Sequence, residues 1–310
     1  MDDSASGEFA RIDLILAQQD LTDSTGVALG PGDDAALLTP PSGMALALTV
    51  DTLVEGVHFP EGLSPERAMR RALAVNLSDL AAMGAAPGPC LLAVTHPDLD
   101  AETARAIGRG FAHAARGTGA ALVGGNLARG PFSLSVTAGG WVPAGAALRR
   151  DGARVGDLVC VSGVIGAGAA ALRRYRHDGV IDDSARAYLE PVPRLALGVA
   201  LRDHAHACID VSDGLLADLA QLCRASGVRG VVTLDAVPVD GDAELAVTAG
   251  DDYELLFTLP PNAAPLEMLA NDGEVAITVI GRIEAGRGIA LESGGVERSL
   301  PARLGWDHFA

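Results

Sequence analysis

Apolar residues recur along this chain in two rhythms. Short runs of Val, Leu, Ile and Ala at Ala45–Val50, Leu91–Thr95, Ala121–Val123 and Leu134–Ala138, then at Leu158–Val161, Val231–Leu234, Leu255–Phe257 and Val275–Ile280, predict strands. Between them, Phe9–Gln19, Pro65–Met83, Ala101–Thr118, Arg194–Arg202 and Gly214–Ser226 carry the spacing of helices. The second helix has Ser64 as N-cap, Pro65 in the first helical position and Gly84 as its stop. Alternation of the two element types predicts a mixed α/β protein. The stretch Trp141–Asp157 holds Pro143, Gly145, Gly152 and Gly156 with little periodicity. It reads as a crossing between two halves, with domains expected at 1–145 and 146–310.

Length and composition sharpen this picture. A chain of 310 residues is long enough for two domains, each with its own core. Apolar residues make up 49% and aromatics only 4%, so Ala, Val and Leu must build those cores. Lys and Arg total 23 against 40 Asp and Glu, a formal charge of −17. Such a surface repels nucleic acid and anionic membranes, which excludes both as expected partners. A protein this acidic that handles phosphorylated molecules needs cations between its own carboxylates and the ligand's phosphates. Cys90, Cys160, Cys208 and Cys223 form no CxxC pair and sit in apolar surroundings, as expected of free thiols in a reducing cytoplasm. Met1–Gly7 is polar, and no apolar run approaches the roughly 18 residues of a membrane span. These features predict a cytoplasmic protein that neither enters nor crosses a membrane.

Several polar clusters interrupt the apolar pattern. Gly30-Pro31-Gly32-Asp33-Asp34 has the composition of a turn, yet adjacent carboxylates repel unless a cation or several N–H donors relieve them. Thr49-Val50-Asp51-Thr52 puts a carboxylate between hydroxyls at the expected end of a strand, where α/β sheets present ligands. His58 follows and reads either as an ordinary histidine or as a ligand-binding one. Asp79 lies on a helix that is apolar on nearly every side, so its carboxylate should be costly to bury; Asn76, three residues earlier, shares its face. Gly124-Gly125-Asn126 follows the run Ala121–Val123, with Arg129 soon after. It reads as a strand-end turn, or as a place where the backbone at Gly125 approaches a phosphate while Asn126 offers an oxygen to a cation.

In the second half, Ile209-Asp210-Val211-Ser212-Asp213-Gly214 runs into a helix. One polar side chain suffices for a cap, so the surplus points to a phosphate and a metal at the helix N-terminus. Gly250-Asp251-Asp252-Tyr253-Glu254 likewise carries more polar groups than a turn requires. Gly166-Ala-Gly168 matches a loose dinucleotide fingerprint, but the downstream Asp182-Asp183 ends no plausible strand, and NAD is discounted. His204-Ala-His206 has no adjoining Cys or carboxylate cluster and reads as surface histidines. No GxxxxGK[ST] sequence occurs, which excludes the P-loop solution to phosphoryl transfer.

Taken in order, Gly7–Phe9, Gly30–Asp34, Val50–Phe59, Ala72–Ala86, Gly124–Pro131, Ile209–Gly214, Gly250–Leu255 and Asp307-His308-Phe309 resemble the thiamine-monophosphate kinase family of the aminoimidazole-ribonucleotide-synthetase-like superfamily. The resemblance implies a two-domain α/β fold of mixed sheets with its active site in the interdomain cleft. It also implies a homodimer formed through the N-terminal domains. Asp34, Asp51, Asp79, Asp210 and Asp213 correspond to the family's Mg²⁺-binding acids, with Thr49 beside them. Arg150 and Ser212 match ATP contacts, while His58, Asp251 and Trp306 match contacts to thiamine monophosphate. Two positions depart from the pattern, Asn126 for Asp and Asp251 for Glu. The implied reaction is in-line transfer of the ATP γ-phosphoryl group to a phosphate oxygen, aided by several Mg²⁺ ions and needing no general base. Rival readings are another synthetase of the superfamily, making an aminoimidazole ribonucleotide, selenophosphate or a hydrogenase-maturation intermediate, or a nucleotide-binding regulator without turnover. The chain lacks a reactive Cys in its N-terminal glycine-rich region and ends Phe309-Ala310, which argues against the selenophosphate and hydrogenase-maturation readings.

Overall fold

A computed structural model of the protein describes residues 7–19, 25–179, 185–263 and 275–307. Met1–Ser6, Asp182-Asp183 and His308-Phe309, on which parts of the sequence reading fall, lie outside these. The chain divides into two compact units, Met1–Leu80 with Ala85–Gly145, and Ala81–Gly84 with Ala146–Ala310.

In the first unit the elements run α1 (Glu8–Leu16), β1 (Val27–Leu29), β2 (Leu37–Leu38), β3 (Met44–Val54), α2 (Pro65–Ala82), β4 (Ala86–His96), α3 (Ala101–Ala115), β5 (Ala121–Arg129) and β6 (Ser133–Pro143). Strands β1 and β2 form a small antiparallel pair. The other four make one sheet in the order β3-β6-β4-β5. Because side chains alternate along a strand, Leu53, Leu134, Val136, Leu92 and Val94 bury one face of it. Met69, Ala72, Leu73, Leu77 and Leu80 of α2 and Ile107 and Phe111 of α3 are buried too. The opposite face is exposed, with Leu48 65%, Val50 61% and Leu91 45% accessible.

Two strands outrun their sequence signals. β3 continues through Val54 because it pairs with β6 residue by residue from Met44↔Pro143 to Val54↔Ser133. Asp51 therefore sits within a strand, not at the end of one. β5 continues through Gly124-Gly125-Asn126 to Arg129 in parallel register with β4, so these residues are strand and not the expected turn.

The second unit runs β7 (Leu158–Ser162), α4 (Ala167–Asp178), α5 (Arg186–Leu189), α6 (Leu195–Leu201), β8 (Ala207–Asp210), α7 (Leu215–Ser226), β9 (Arg229–Thr233), α8 (Ala243–Ala246), β10 (Leu255–Leu259), β11 (Ile277–Glu284), β12 (Gly288–Ser293) and β13 (Val296–Arg298). Its sheet has the order β13-β12-β9-β11-β7-β10-β8. Both faces are covered. Val159, Val161, Ile209 and Leu256 pack with Leu215, Leu216, Leu219 and Leu222 of α7, whereas Cys160, Cys208, Leu255 and Phe257 pack with Leu197 and Leu201 of α6. Burial on two sides is why these strands read as continuous apolar runs and not as alternating ones. Among the described residues no helix is long and apolar enough to cross a membrane.

Candidate active site

In the first unit, the inward face of β3 meets α2 through polar groups. The Thr49 hydroxyl donates to the Asp79 carboxylate, and Asn76, fully buried, accepts from the Asp51 amide at 3.0 Å while its own amide donates to the Ala72 carbonyl at 2.8 Å. Asn76 is thus a spacer between strand and helix, and it aligns Asp51 with Asp79. His58 lies just past β3. Its Nδ1 accepts from the Val54 amide at 3.1 Å, which fixes a neutral ring protonated on Nε2. The buried Arg71 donates to the His58 carbonyl at 3.2 Å and anchors the loop to α2.

The remaining positions expected in this unit lie elsewhere in it. Asp34 is exposed, its amide bonded to Asp33 Oδ1 at 2.8 Å. Pro31 of that loop lines a small apolar cavity of about 60 Å³ together with Ile12, Ile15, Gly124, Gly125 and Asn126. Asn126 stands on β5, the edge opposite β3, about 14 Å away at the usual strand spacing. Its register partner Ala93 faces Ser135, which in turn faces Thr52, so Asn126 also belongs to the sheet face opposite Asp51. Gly125 has a packing reason for being glycine. A Cβ there would stand 1.9 Å from the Leu92 carbonyl oxygen of β4, so the strand pairing alone requires a glycine.

In the second unit, three loops converge. The Asp251 amide donates to the Ser212 carbonyl at 2.9 Å, the Tyr253 amide to the Val211 carbonyl at 2.8 Å, the Val211 amide to the Glu254 carbonyl at 2.8 Å, and the Trp306 amide to the Asp213 carbonyl at 2.8 Å. This backbone lattice gathers Asp210, Ser212, Asp213, Asp251 and Trp306 at the ends of β8 and β10. Asp210 is buried, whereas Trp306 is 58% exposed. Arg150 is exposed in the loop before β7, and its carbonyl accepts from Ser226 at 2.7 Å.

Three acids brace this lattice: Asp218, which the motif reading passed over, and Asp252 and Glu254, which it noted only as surplus polar groups. Asp218, buried in the first turns of α7, accepts from the amides of Ser212, Asp213 and Gly214, each at 3.1 Å. Those N–H groups lead into α7, whose N-cap is Gly214, and the protein's own carboxylate takes them up. Burial pushes the Asp218 carboxyl up to about 7, against the lowering effect of the amides. Asp252 accepts from the Gly166 and Gly168 amides at 2.8 and 3.2 Å, and burial raises it likewise to about 7. This contact accounts for the Gly166-Ala-Gly168 sequence without any dinucleotide. Glu254 takes two hydrogen bonds from Arg194 and one from the Ser162 hydroxyl at 2.5 Å. The signal for Asp218 was the one that exposed Asp79, a lone carboxylate on an apolar helix.

His206 departs from the surface assignment. It is half-buried, with Nδ1 2.9 Å from both oxygens of the buried Asp157, whereas His204 is exposed. Among the described residues no group of three or more His, Cys, Asp or Glu side chains is arranged to hold a metal ion. The candidate donors are nonetheless all hard oxygens, the chemistry Mg²⁺ selects. Mg²⁺ is ordinarily held by one or two carboxylates together with substrate phosphates and water, so a preformed all-protein cage is not required. The pairing of Thr49 with Asp79, beside Asn76 on the same helix face, fits that demand.

Residues 32–142 match the family described as AIR synthase related protein, N-terminal domain, and residues 154–294 match AIR synthase related protein, C-terminal domain. The thiamine-monophosphate kinase of Salmonella typhimurium is 38% identical, with 99% of each chain covered. Among solved structures, thiamine-monophosphate kinase from Stenotrophomonas maltophilia K279a superposes with a TM-score of 0.84 at 42% identity, covering 93% of this chain and 97% of that one. AaThiL complexed with AMPPCP and TMP superposes with a TM-score of 0.76 at 30% identity, covering 100% and 99%. Full-length identity at this level, over both family domains and with a matching fold, places the chain in the thiamine-monophosphate kinase family of AIR-synthase-related proteins.

Proposed function

We propose that this protein transfers the γ-phosphoryl group of ATP to thiamine monophosphate, giving thiamine diphosphate and ADP. The observation that carries the reading is the lattice of the second unit, in which Asp210, Ser212, Asp213, Asp251 and Trp306, each matching a family position, are held together by backbone hydrogen bonds. The acceptor phosphate has a second pKa near 6 and is largely dianionic at neutral pH, so no general base is needed. What must be overcome is repulsion between two phosphate anions. Several bound Mg²⁺ ions would supply that neutralisation, with Asp34, Thr49, Asp51, Asp79, Asp210 and Asp213 as residues to hold them and Asn126, on the other sheet face from Asp51, for a separate ion. Gly125, Asn126, Ser212 and Arg150 are assigned to the nucleotide. His58, by its neutral Nε2–H tautomer, Asp251 and the exposed ring of Trp306 are assigned to thiamine monophosphate.

A second copy of the chain is the proposed partner of the first unit. The sheet face bearing Leu48, Val50 and Leu91 is apolar and exposed, a surface a homodimer would bury. The four described cysteines are free and buried, in keeping with a reducing cytoplasm. Incubation with ATP, Mg²⁺ and thiamine monophosphate should yield thiamine diphosphate, and free thiamine offered in parallel should not be phosphorylated. Consumption of free thiamine, or no diphosphate from the monophosphate, refutes the assignment.

A further inference from the structure

We infer that Asp218 and Asp252 are positioning residues, one for the nucleotide side of the site and one for the acceptor side, an inference that rests on the functional reading above. Each is a carboxylate turned onto the backbone of a loop that carries proposed ligand contacts. Three successive amides, of Ser212, Asp213 and Gly214, converge on the single oxygen Oδ2 of Asp218. That convergence sets the curvature of the segment bearing Ser212 and Asp213.

Asp252 does the corresponding work one loop away. It lies between Asp251 and Tyr253, whose φ angles of 69° and 54° are left-handed conformations that L-residues adopt only under constraint from their surroundings. Its bonds to the amides of Gly166 and Gly168 fasten this loop to the start of α4. The fit is backbone to backbone, since a Cβ on Gly168 would stand 2.1 Å from the Asp251 carbonyl oxygen. Asp251 is thereby presented in one orientation, while Asp218 presents Asp213 in another.

Asp218→Asn and Asp252→Asn keep the shape but put an N–H donor where a carboxylate oxygen stood, against amides that themselves donate. Calorimetric titration of the full-length chain with AMPPCP in Mg²⁺, and separately with thiamine monophosphate, reads the two sides independently. Asp218→Asn should weaken the Mg²⁺-nucleotide by about 10- to 100-fold with thiamine monophosphate held within about twofold, and Asp252→Asn should do the reverse. Should either variant fail to fold, Gly214→Ala and Gly168→Ala disturb the same two loops through the backbone and must give the same split. Equal weakening of both ligands, or a lowered melting temperature with unchanged affinities, assigns these residues to folding alone and overturns the inference. Wild-type protein that binds both ligands but makes no thiamine diphosphate refutes the functional reading and leaves this split measurable. Wild-type protein that binds neither overturns both.

Discussion

Replacing Glu254 by alanine should destabilise the second unit by about 3 kcal/mol, at the low end of the range for breaking a buried ion pair. The Glu254 side chain is 7% exposed and that of Arg194 is 22% exposed, so truncation strands a guanidinium that water reaches only in part and recovers only part of its solvation. The loss spreads, because Ser162 also donates to Glu254 and itself accepts from the Leu255 amide at 2.8 Å. Glu254→Ala therefore loosens the junction of β7, β10 and the start of α6 together. With a urea dependence of about 2 kcal/mol per molar, the midpoint should fall by about 1.5 M. The ion pair itself is isolated by a double-mutant cycle with Arg194→Met and Glu254→Ala, read by urea denaturation and by amide exchange across β10. A coupling of about 2 kcal/mol is expected. A coupling under about 0.5 kcal/mol would refute the argument, since the pair would then be behaving as an exposed one.

Asp79→Asn and Asp210→Asn should each lose most turnover at low Mg²⁺ and recover part of it as Mg²⁺ is raised, measured by thiamine diphosphate formation; near-normal rates at low Mg²⁺ would sink the metal assignment. Burial pushes the thiols of Cys90 and Cys160 up to about 12 and that of Cys223 to about 11, so the native protein should resist a disulfide reagent at pH 8 while the unfolded chain reacts at all four cysteines. Because these folded-state values lie above the ordinary 9.0, the native state keeps protons the unfolded chain gives up. Their contribution to stability is complete below pH 9 and is lost as pH rises from 9 toward 12, which thermal melts across that range would show. Leu48→Glu, with Val50→Glu as a second variant, should convert a dimer to monomers in light scattering, and an unchanged mass would remove that face as the interface.

The fold class, the two-part division of apolar runs and nearly all the chemistry-bearing motifs are legible in the sequence alone. Those signals are local: a carboxylate on an apolar helix at Asp79, a surplus of acids at Asp210–Asp213, an ordered set of motifs too long for coincidence. Strand ends were less legible. β3 passes through Asp51 and β5 through Gly124-Gly125-Asn126 because of pairing with β6 and β4, residues distant in the chain.

Which polar groups serve the protein and which are left for a ligand is settled only on folding. In sequence nothing separates the role of Asp218 and Asp252 from that of the chain's many other acids, yet their oxygens are turned onto amides of neighbouring loops. The amides leading into α7 are spent on Asp218, and Gly125 is small for the sake of a β4 carbonyl. A run of residues states which donors and acceptors exist. Their partners are chosen by chain segments that meet only on folding, and buried polar groups must find partners there because leaving one unpaired costs more than most single contacts contribute.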